Sequence, residues 1–504
     1  MYSLFEELPD VTSSWLRYRS AFNKACEREF SEFASSYKIA ADTATNALRK
    51  NPFSVLQSFA LWERNQGIML KGALAAQQKF MEYMFEQMHG AVIAGINSVV
   101  PGKGMSLAEF MKREADVMEA VADFTEDIEA IGDEFGFQLG KPGFDLVHET
   151  PCFEMYQIQP NKKGVKVDNS LKPVLLVAPY LLGAHIMSFL PGQDKSYAHA
   201  FANEGIPTYV RIVKDILVTE AVQTMRAEDD VLETNELCTF LTKKHKQKVT
   251  LNGVCQGGYT SLLGILTGKM KDSVDTLITN VAPIDGTYNT GINSMPRVSE
   301  EYLTVPMPSG NKVANGFLLS MGMRMIAIER EQPLVKVLDQ ASLYRKTNLN
   351  PGKTVAALFR WLLKERVHLP FDIAQLSSVS FYEKIAPDGT LPVTLFGKKY
   401  NIKDLAKQKV YWYQSYAIKD DLVTPECATD ANHFLEDSGY FESVAFFGGH
   451  VAIMTSPYSK KSPVNGRFTD ALGRESRGPI AFQLDISKKA KASAPAKIPA
   501  EVAQ

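Results

Sequence analysis

Cysteine is scarce in this chain: Cys26, Cys152, Cys238, Cys255 and Cys427 are the only five in 504 residues. Their number is odd, no two form a Cys-x-x-Cys pair and none cluster, which argues against a disulfide or zinc framework and suits a reducing, cytoplasmic setting. Charge of one sign is equally lacking. Lys and Arg total 55 against 57 for Asp and Glu, so no global basic field points to nucleic acid or an anionic membrane surface. No run of about 18 uncharged apolar residues occurs, the length a spanning helix needs. The opening Met-Tyr-Ser-Leu-Phe-Glu-Glu has neither the basic start nor the apolar core of an export signal. A glycine-rich phosphate loop, an internal repeat and a His/Cys/Asp metal spacing are also missing, so no metal and no permanently bound cofactor is expected. What remains is ordinary globular composition, 45% hydrophobic and 22% charged, with material for two to four domains.

Residues 1–150 read as helical. Trp15, Tyr18, Phe22 and Cys26 recur at spacings of three and four, as do Phe80, Met84, Phe85 and Met88. Pro52 suits a first helical turn and Pro101-Gly102 breaks a helix, which predicts three or four helices. The Met- and Phe-rich stretch from Met69 to Met88 is either a packed layer or a face for a partner. Near residue 150 the pattern changes to short apolar runs with helical segments between them. Strands are expected at Val174–Ala178, Pro207–Ile212, Val249–Asn252 and Val410–Tyr413, forming a mostly parallel α/β sheet. The stretch 285–400, helical at 316–330 and 355–365, is too long for one crossover and reads as an inserted cap. The catalytic domain is then 151–485, and the Ala/Lys/Pro-rich 486–504 has little to bury and reads as a disordered tail.

One segment carries chemistry. The strand at Val249 runs through Gly253-Val-Cys255-Gln-Gly257-Gly258 into a helical stretch, the pattern of a nucleophile elbow, in which a strained residue projects above the sheet and glycines two residues either side keep strand and helix apart. A chance Gly-x-Cys-x-Gly is expected roughly 0.02 times at this glycine content. The α/β-hydrolase fold follows, and with it the chain order nucleophile, acid, histidine. Downstream, Asp420 closely follows the strand at Val410, with Asp421 as the alternative acid, and His450 ends the apolar run Val444–Phe447 on a Gly448-Gly449 turn. His433 reads as a helix surface residue, His368 as part of the cap, and His185 and His199 as structural. For the oxyanion, the Gln256 backbone N–H is one expected donor and that of Tyr180 or Leu181 the second.

A cysteine in this position forms a thioester, which favours acyl transfer over simple hydrolysis. Asn252-Gly-Val-Cys255-Gln-Gly-Gly258, Lys419-Asp420-Asp-Leu-Val423, Gly449-His450 with Ser456-Pro457, Phe396 to Leu405 and Thr150-Pro151 with Glu154-Met-Tyr156 together resemble the polyhydroxyalkanoate synthases, over roughly residues 150–470. That resemblance implies 3-hydroxyacyl-CoA as substrate, Cys255 as acyl carrier, His450 as base and Asp420 orienting His450 or assisting the incoming hydroxyl. It also implies a homodimer and contact with a polyester chain or granule surface. The chain departs from the family where Thr424-Pro425-Glu426 follows the acid, where tryptophan is absent after Trp412, and where Pro179 to His185 lacks the usual Trp-Ile-Asn run. A cysteine hydrolase, whether thioesterase, esterase or polyester depolymerase, is the competing expectation, and a non-catalytic assembly protein the third.

Overall fold

The computed structural model describes residues 2–51, 53, 55–100, 104–293, 300–350 and 352–493. Pro52 and Pro101-Gly102, where breaks are expected, lie outside them. The chain divides into two compact units, Met1–Asp133 with Ser294–Thr304 and Asn315–Arg366, and Glu134–Asn293 with Val305–Ala314 and Val367–Gln504.

The first unit is helical. Its long helices are α1 (Tyr2–Lys50), α2 (Val55–Val99) and α3 (Leu107–Ala130). Ser106 and Glu109 start α3 with a reciprocal capping box, each side chain accepting from the other's backbone N–H. The buried face of α1 is not its aromatic stripe: Ala21 and Ala25 are buried whereas Trp15 is exposed. Small side chains let α3 approach closely there, and Arg17 closes the contact on Asp116 and Glu119 at 2.7 and 2.5 Å. Much of the expected insert, including helices Gly316–Ile326, Pro333–Lys346 and Lys353–Lys364, belongs to this unit. Phe124 of α3 meets Tyr344 and Phe359 edge-on, and Arg345 ion-pairs at 2.7 Å with Glu114, whose side chain is almost wholly buried. On α2, Leu70, Leu74, Met81, Phe85, Met88, Val92 and Ile96 are all exposed.

The second unit is built on an eight-stranded sheet. In chain order its strands are β1 (Phe144–Glu149), β2 (Phe153–Ile158), β3 (Val174–Val177), β4 (Thr208–Val213), β5 (Val249–Val254), β6 (Val274–Asn280), β7 (Tyr411–Ala417) and β8 (Phe441–Phe446). They lie in the order β1-β2-β4-β3-β5-β6-β7-β8. The first two pairings, β1 with β2 and β2 with β4, are antiparallel, and all the others are parallel. β3 and β5 are buried at every position, as the middle strands of a sheet covered on both faces must be. This order, with a sharp strand–turn–helix after β5, is the α/β-hydrolase fold.

Two boundaries and one strand differ from the sequence reading. The sheet unit opens at Glu134 rather than 151, because Phe144–Glu149 supplies an edge strand to β2. β6, not anticipated, lies between β5 and β7. The tail expected from 486 is helical as far as Ser493. The stretch from 486 has something to bury: Ile486 and Ser487 are buried, and Ser487 accepts from the Lys172 N–H at 3.4 Å, one turn after Gln483, which accepts from the Thr250 hydroxyl at 2.8 Å and donates to the Lys172 carbonyl at 2.9 Å. Residues 494–504 lie outside the described part. No helix among the described residues is long and apolar enough to cross a membrane.

Removing the Phe124 ring tests the core of the helical unit. Phe124→Ala is expected to lower stability by about 3–5 kcal/mol, read as an earlier transition in urea; a loss under about 1 kcal/mol would mean that this ring does not anchor α3.

Candidate active site

The sheet converges on one edge. In open parallel sheets the loops beyond the strands' carboxyl ends are where ligands sit, and Tyr180, Cys255, Asp420 and His450 follow β3, β5, β7 and β8 respectively. Cys255 caps the helix Gln256–Leu266 with φ 50° and ψ −121°, a conformation costly for any residue with a Cβ. Its N–H is held by the Asn280 carbonyl at the end of β6, at 2.8 Å. Glycine is obligatory around it. A Cβ on Gly253 would lie 2.4 Å from the Gly257 carbonyl oxygen, and one on Gly257 would lie 2.4 Å from that of Val177. The bare backbone at Gly257 thus brings the elbow against the end of β3 and the Tyr180 loop.

The acid and the histidine are positioned by two loops joined through their backbones. Ile418 donates to Phe446 at 3.1 Å and Lys419 to Gly448 at 2.9 Å, continuing the β7–β8 pairing past the last strand residues. Gly448 has φ 119°, and a Cβ on Gly449 would crowd the Lys419 carbonyl at 3.2 Å. One carboxylate oxygen of Asp420 accepts from the N–H groups of Leu422 and Val423, both at 2.9 Å. The other meets His450 Nδ1 at 2.7 Å. Asp420 is fully buried at its side chain and His450 about 19% exposed. Asp421 is exposed on the same turn, so of the two candidate acids Asp420 is the one that holds the imidazole.

The His450 side chain donates to the Cys255 sulfur. Since Nδ1 is committed to Asp420, that bond belongs to Nε2. Burial alone would push the imidazole down, but the neighbouring Cys255 and Asp420 charges outweigh it and raise His450 to about 10. At the other cysteines burial is the largest influence: it pushes Cys26 up to about 11 and Cys238 up to about 12, and raises Cys152, with the Glu233 carboxylate beside it, and Cys427 as well. The other candidate histidines lie outside this group. His199 is buried, bonded to Ser196 at 2.8 Å and pushed down to about 4 by burial. His185 Nδ1 accepts from the Phe137 N–H at 3.0 Å, and His433 is bonded to its own helical turn at the Asp430 carbonyl. Burial lowers His368.

The two expected oxyanion donors meet each other. Gln256 is the first residue of its helix, where an N–H has no intrahelical acceptor. The N–H of Tyr180 donates to the Gln256 side-chain carbonyl at 3.1 Å, and the Gln256 amide nitrogen donates to Ser377 Oγ at 2.5 Å. Ser377 was not foreseen; it lies in the helix Phe371–Tyr382, more than a hundred residues from the elbow, and no local motif marks it. Asn280 is likewise marked by no local motif. Its side chain joins a buried network beneath the elbow, donating to Asn252 at 2.8 Å and to the Tyr197 hydroxyl at 3.1 Å and accepting from Ser415 at 2.7 Å. Among the described residues no group of three or more His, Cys, Asp or Glu is placed to hold a metal ion.

Comparison with known proteins finds distant likenesses only. No family model and no curated protein matches the chain. Solved structures similar to it include a carboxylesterase of Nitrososphaera gargenis, at 14% identity and TM-score 0.35 over 62% of this chain and 93% of that one. The thioesterase domain of the curacin biosynthetic pathway shares 10% identity, with TM-score 0.31 over 62% and 94%. An esterase of Pyrococcus furiosus shares 12%, with TM-score 0.33 over 68% and 86%. The strand order and the elbow, not these likenesses, establish the α/β-hydrolase fold.

Two outcomes follow from the geometry. Because φ 50° favours glycine, Cys255→Gly is expected to be about 1 kcal/mol more stable than Cys255→Ala in urea unfolding; equal stability, or a more stable alanine variant, would mean that the elbow is unstrained. The raised His450 stabilises the fold fully below its ordinary value of 6.5, and this contribution is lost as pH rises through about 10. The stability advantage of the unsubstituted chain over His450→Gln should therefore shrink between pH 6 and pH 10; an advantage that stays constant or grows would contradict the assigned charge.

Proposed function

We propose that this chain is an acyltransferase that carries its acyl group on Cys255 and takes it from a 3-hydroxyacyl-CoA thioester, building a polyester with release of CoA. The observation that carries the reading is a cysteine, not a serine, on the strained elbow, with its sulfur bonded to His450 and His450 to Asp420. The sulfur exchanges readily with another thioester and holds the acyl group in an activated state. The substrate class rests on the resemblance of the elbow, acid and histidine segments to polyhydroxyalkanoate synthases.

The chemistry runs as two balanced transfers. With the imidazole of His450 already carrying the shared proton, Sγ attacks the substrate carbonyl as the thiolate of that ion pair, and the oxyanion is met by backbone N–H groups at the elbow. Collapse breaks the carbon–sulfur bond to CoA, whose sulfur takes the proton from His450. In the second transfer, His450, now neutral, removes the proton from the 3-hydroxyl of another acyl unit, the hydroxyl oxygen attacks the Cys255 thioester, and Sγ leaves as the thiolate beside the recharged imidazole. Asp420 holds the imidazole through Nδ1 and stabilises its charged form.

Hydrolysis is the second reading, since Cys255 and His450 are partly exposed and water could take the place of the hydroxyl. The product decides between them. Purified protein given 3-hydroxybutyryl-CoA is expected to release CoA and form oligomeric ester, and Cys255→Ala to do neither. Free 3-hydroxybutyrate as the sole product would establish a hydrolase. Asp420→Asn is expected to lower the rate by on the order of 10²–10⁴-fold, with Asp421→Asn within about twofold of the unsubstituted chain; equal losses in the two would refute the choice of acid.

A further inference from the structure

The second oxyanion donor is already occupied, and the occupant is the residue after the nucleophile. A carbonyl oxygen, Gln256 Oε1, lies 3.1 Å from the Tyr180 nitrogen, within hydrogen-bond reach, as a substrate oxyanion taking that N–H would have to be. The same carboxamide is tied at its other end to Ser377 Oγ, at 2.5 Å, and Ser377 donates in turn to the Ile373 carbonyl at 3.0 Å. Gln256 thus stands in for an acyl carbonyl and is latched.

Of the two partners, Tyr180 is the fixed one. Its hydroxyl donates to Asp230 at 2.9 Å, and Asp230 is ion-paired with Arg211 in a cluster whose three members are all buried. The Arg211 guanidinium also lies over the Tyr180 and Phe153 rings, at 5.6 and 4.2 Å. Moving the Tyr180 backbone would disturb a buried ion pair, which is costly. The Gln256 side chain, by contrast, is partly exposed and turns about single bonds. Ser377 holds it by one acceptor oxygen alone, the hydroxyl hydrogen going to the Ile373 carbonyl.

We propose that the Gln256 side chain is a gate on the oxyanion site: acylation of Cys255 requires its carboxamide to leave the Tyr180 N–H, and the bond to Ser377 sets how often it does. This rests on the reading of Cys255 as the acyl-carrying nucleophile. Only the fraction of molecules with the gate open can stabilise the tetrahedral intermediate at both donors, so the observed acylation rate is scaled by that fraction. Alkylation of a thiol by iodoacetamide forms no oxyanion, so the gate does not touch it.

The test compares two rates on the same thiol. One is the burst of p-nitrophenolate from p-nitrophenyl acetate, in which the acetyl group passes to Sγ and the phenolate departs; the other is alkylation by iodoacetamide. The gate predicts that the ratio of acylation to alkylation rises several-fold in Gln256→Ala and to a smaller extent in Ser377→Ala. In Gln256→Glu a carboxylate takes the Tyr180 N–H more strongly, and the ratio should fall. An unchanged or lower ratio in both Gln256→Ala and Ser377→Ala would overturn the gate and make the carboxamide a support of the elbow. Absence of Cys255-dependent alkylation in the unsubstituted chain would overturn the nucleophile, and the gate with it.

Discussion

Everything at this site depends on how closely a helix can be brought against the sheet after β5. A single Cβ at Gly253 or Gly257 would drive carbon to within 2.4 Å of a carbonyl oxygen, so the elbow exists only because those positions are bare. Closeness has two consequences. It forces Cys255 into a backbone conformation that exposes its side chain at the sheet edge, and it sets the first turn of the helix against the end of β3, where the Tyr180 N–H is found. Cys255 and the Tyr180 N–H are therefore positioned by one steric contact.

His450 is positioned by a separate device. β7 and β8 pair in parallel, and two further backbone bonds beyond the strands, Ile418 to Phe446 and Lys419 to Gly448, lock their loops together. Asp420 is desolvated in that lock but not unsatisfied, since two N–H groups and the imidazole meet its oxygens. A buried carboxylate so held favours a positively charged ring beside the thiol. The buried polar network of Asn252, Asn280, Tyr197 and Ser415 ties β5, β6 and β7 together below, so elbow and acid loop rest on a common floor.

Much of this was legible in the sequence because the relevant signals are local. Gly253, Cys255 and Gly257 announce a strand–turn–helix by spacing alone, and Asp420 and His450 each end an apolar run. Which of Asp420 and Asp421 faces the histidine was not legible, because both stand on one turn and only the three-dimensional pairing of two loops separates them. Ser377 and Asn280 left no signal at all, since their roles arise from contacts with residues far away in the chain. The stretch 486–493 differs from its expected disorder for a related reason: its Ala/Lys composition hides the buried Ile486 and Ser487, and Ser487 accepts from the N–H of Lys172, more than three hundred residues earlier. The large insert was recognisable by length, but its packing against α3 depends on Tyr344 and Phe359 meeting Phe124, a pairing that periodicity does not encode.

The central claim is that the acyl group resides on the Cys255 sulfur during turnover. It is tested most directly by quenching the protein in acid during reaction with 3-hydroxybutyryl-CoA, digesting it with pepsin and weighing the peptide that contains Cys255. The account predicts that this peptide carries one or more 3-hydroxybutyryl units, removable by hydroxylamine, and that the peptides holding Cys26, Cys152, Cys238 and Cys427 stay unmodified. CoA release with an unmodified Cys255 peptide at every quench time, or the acyl group on another residue, would contradict it.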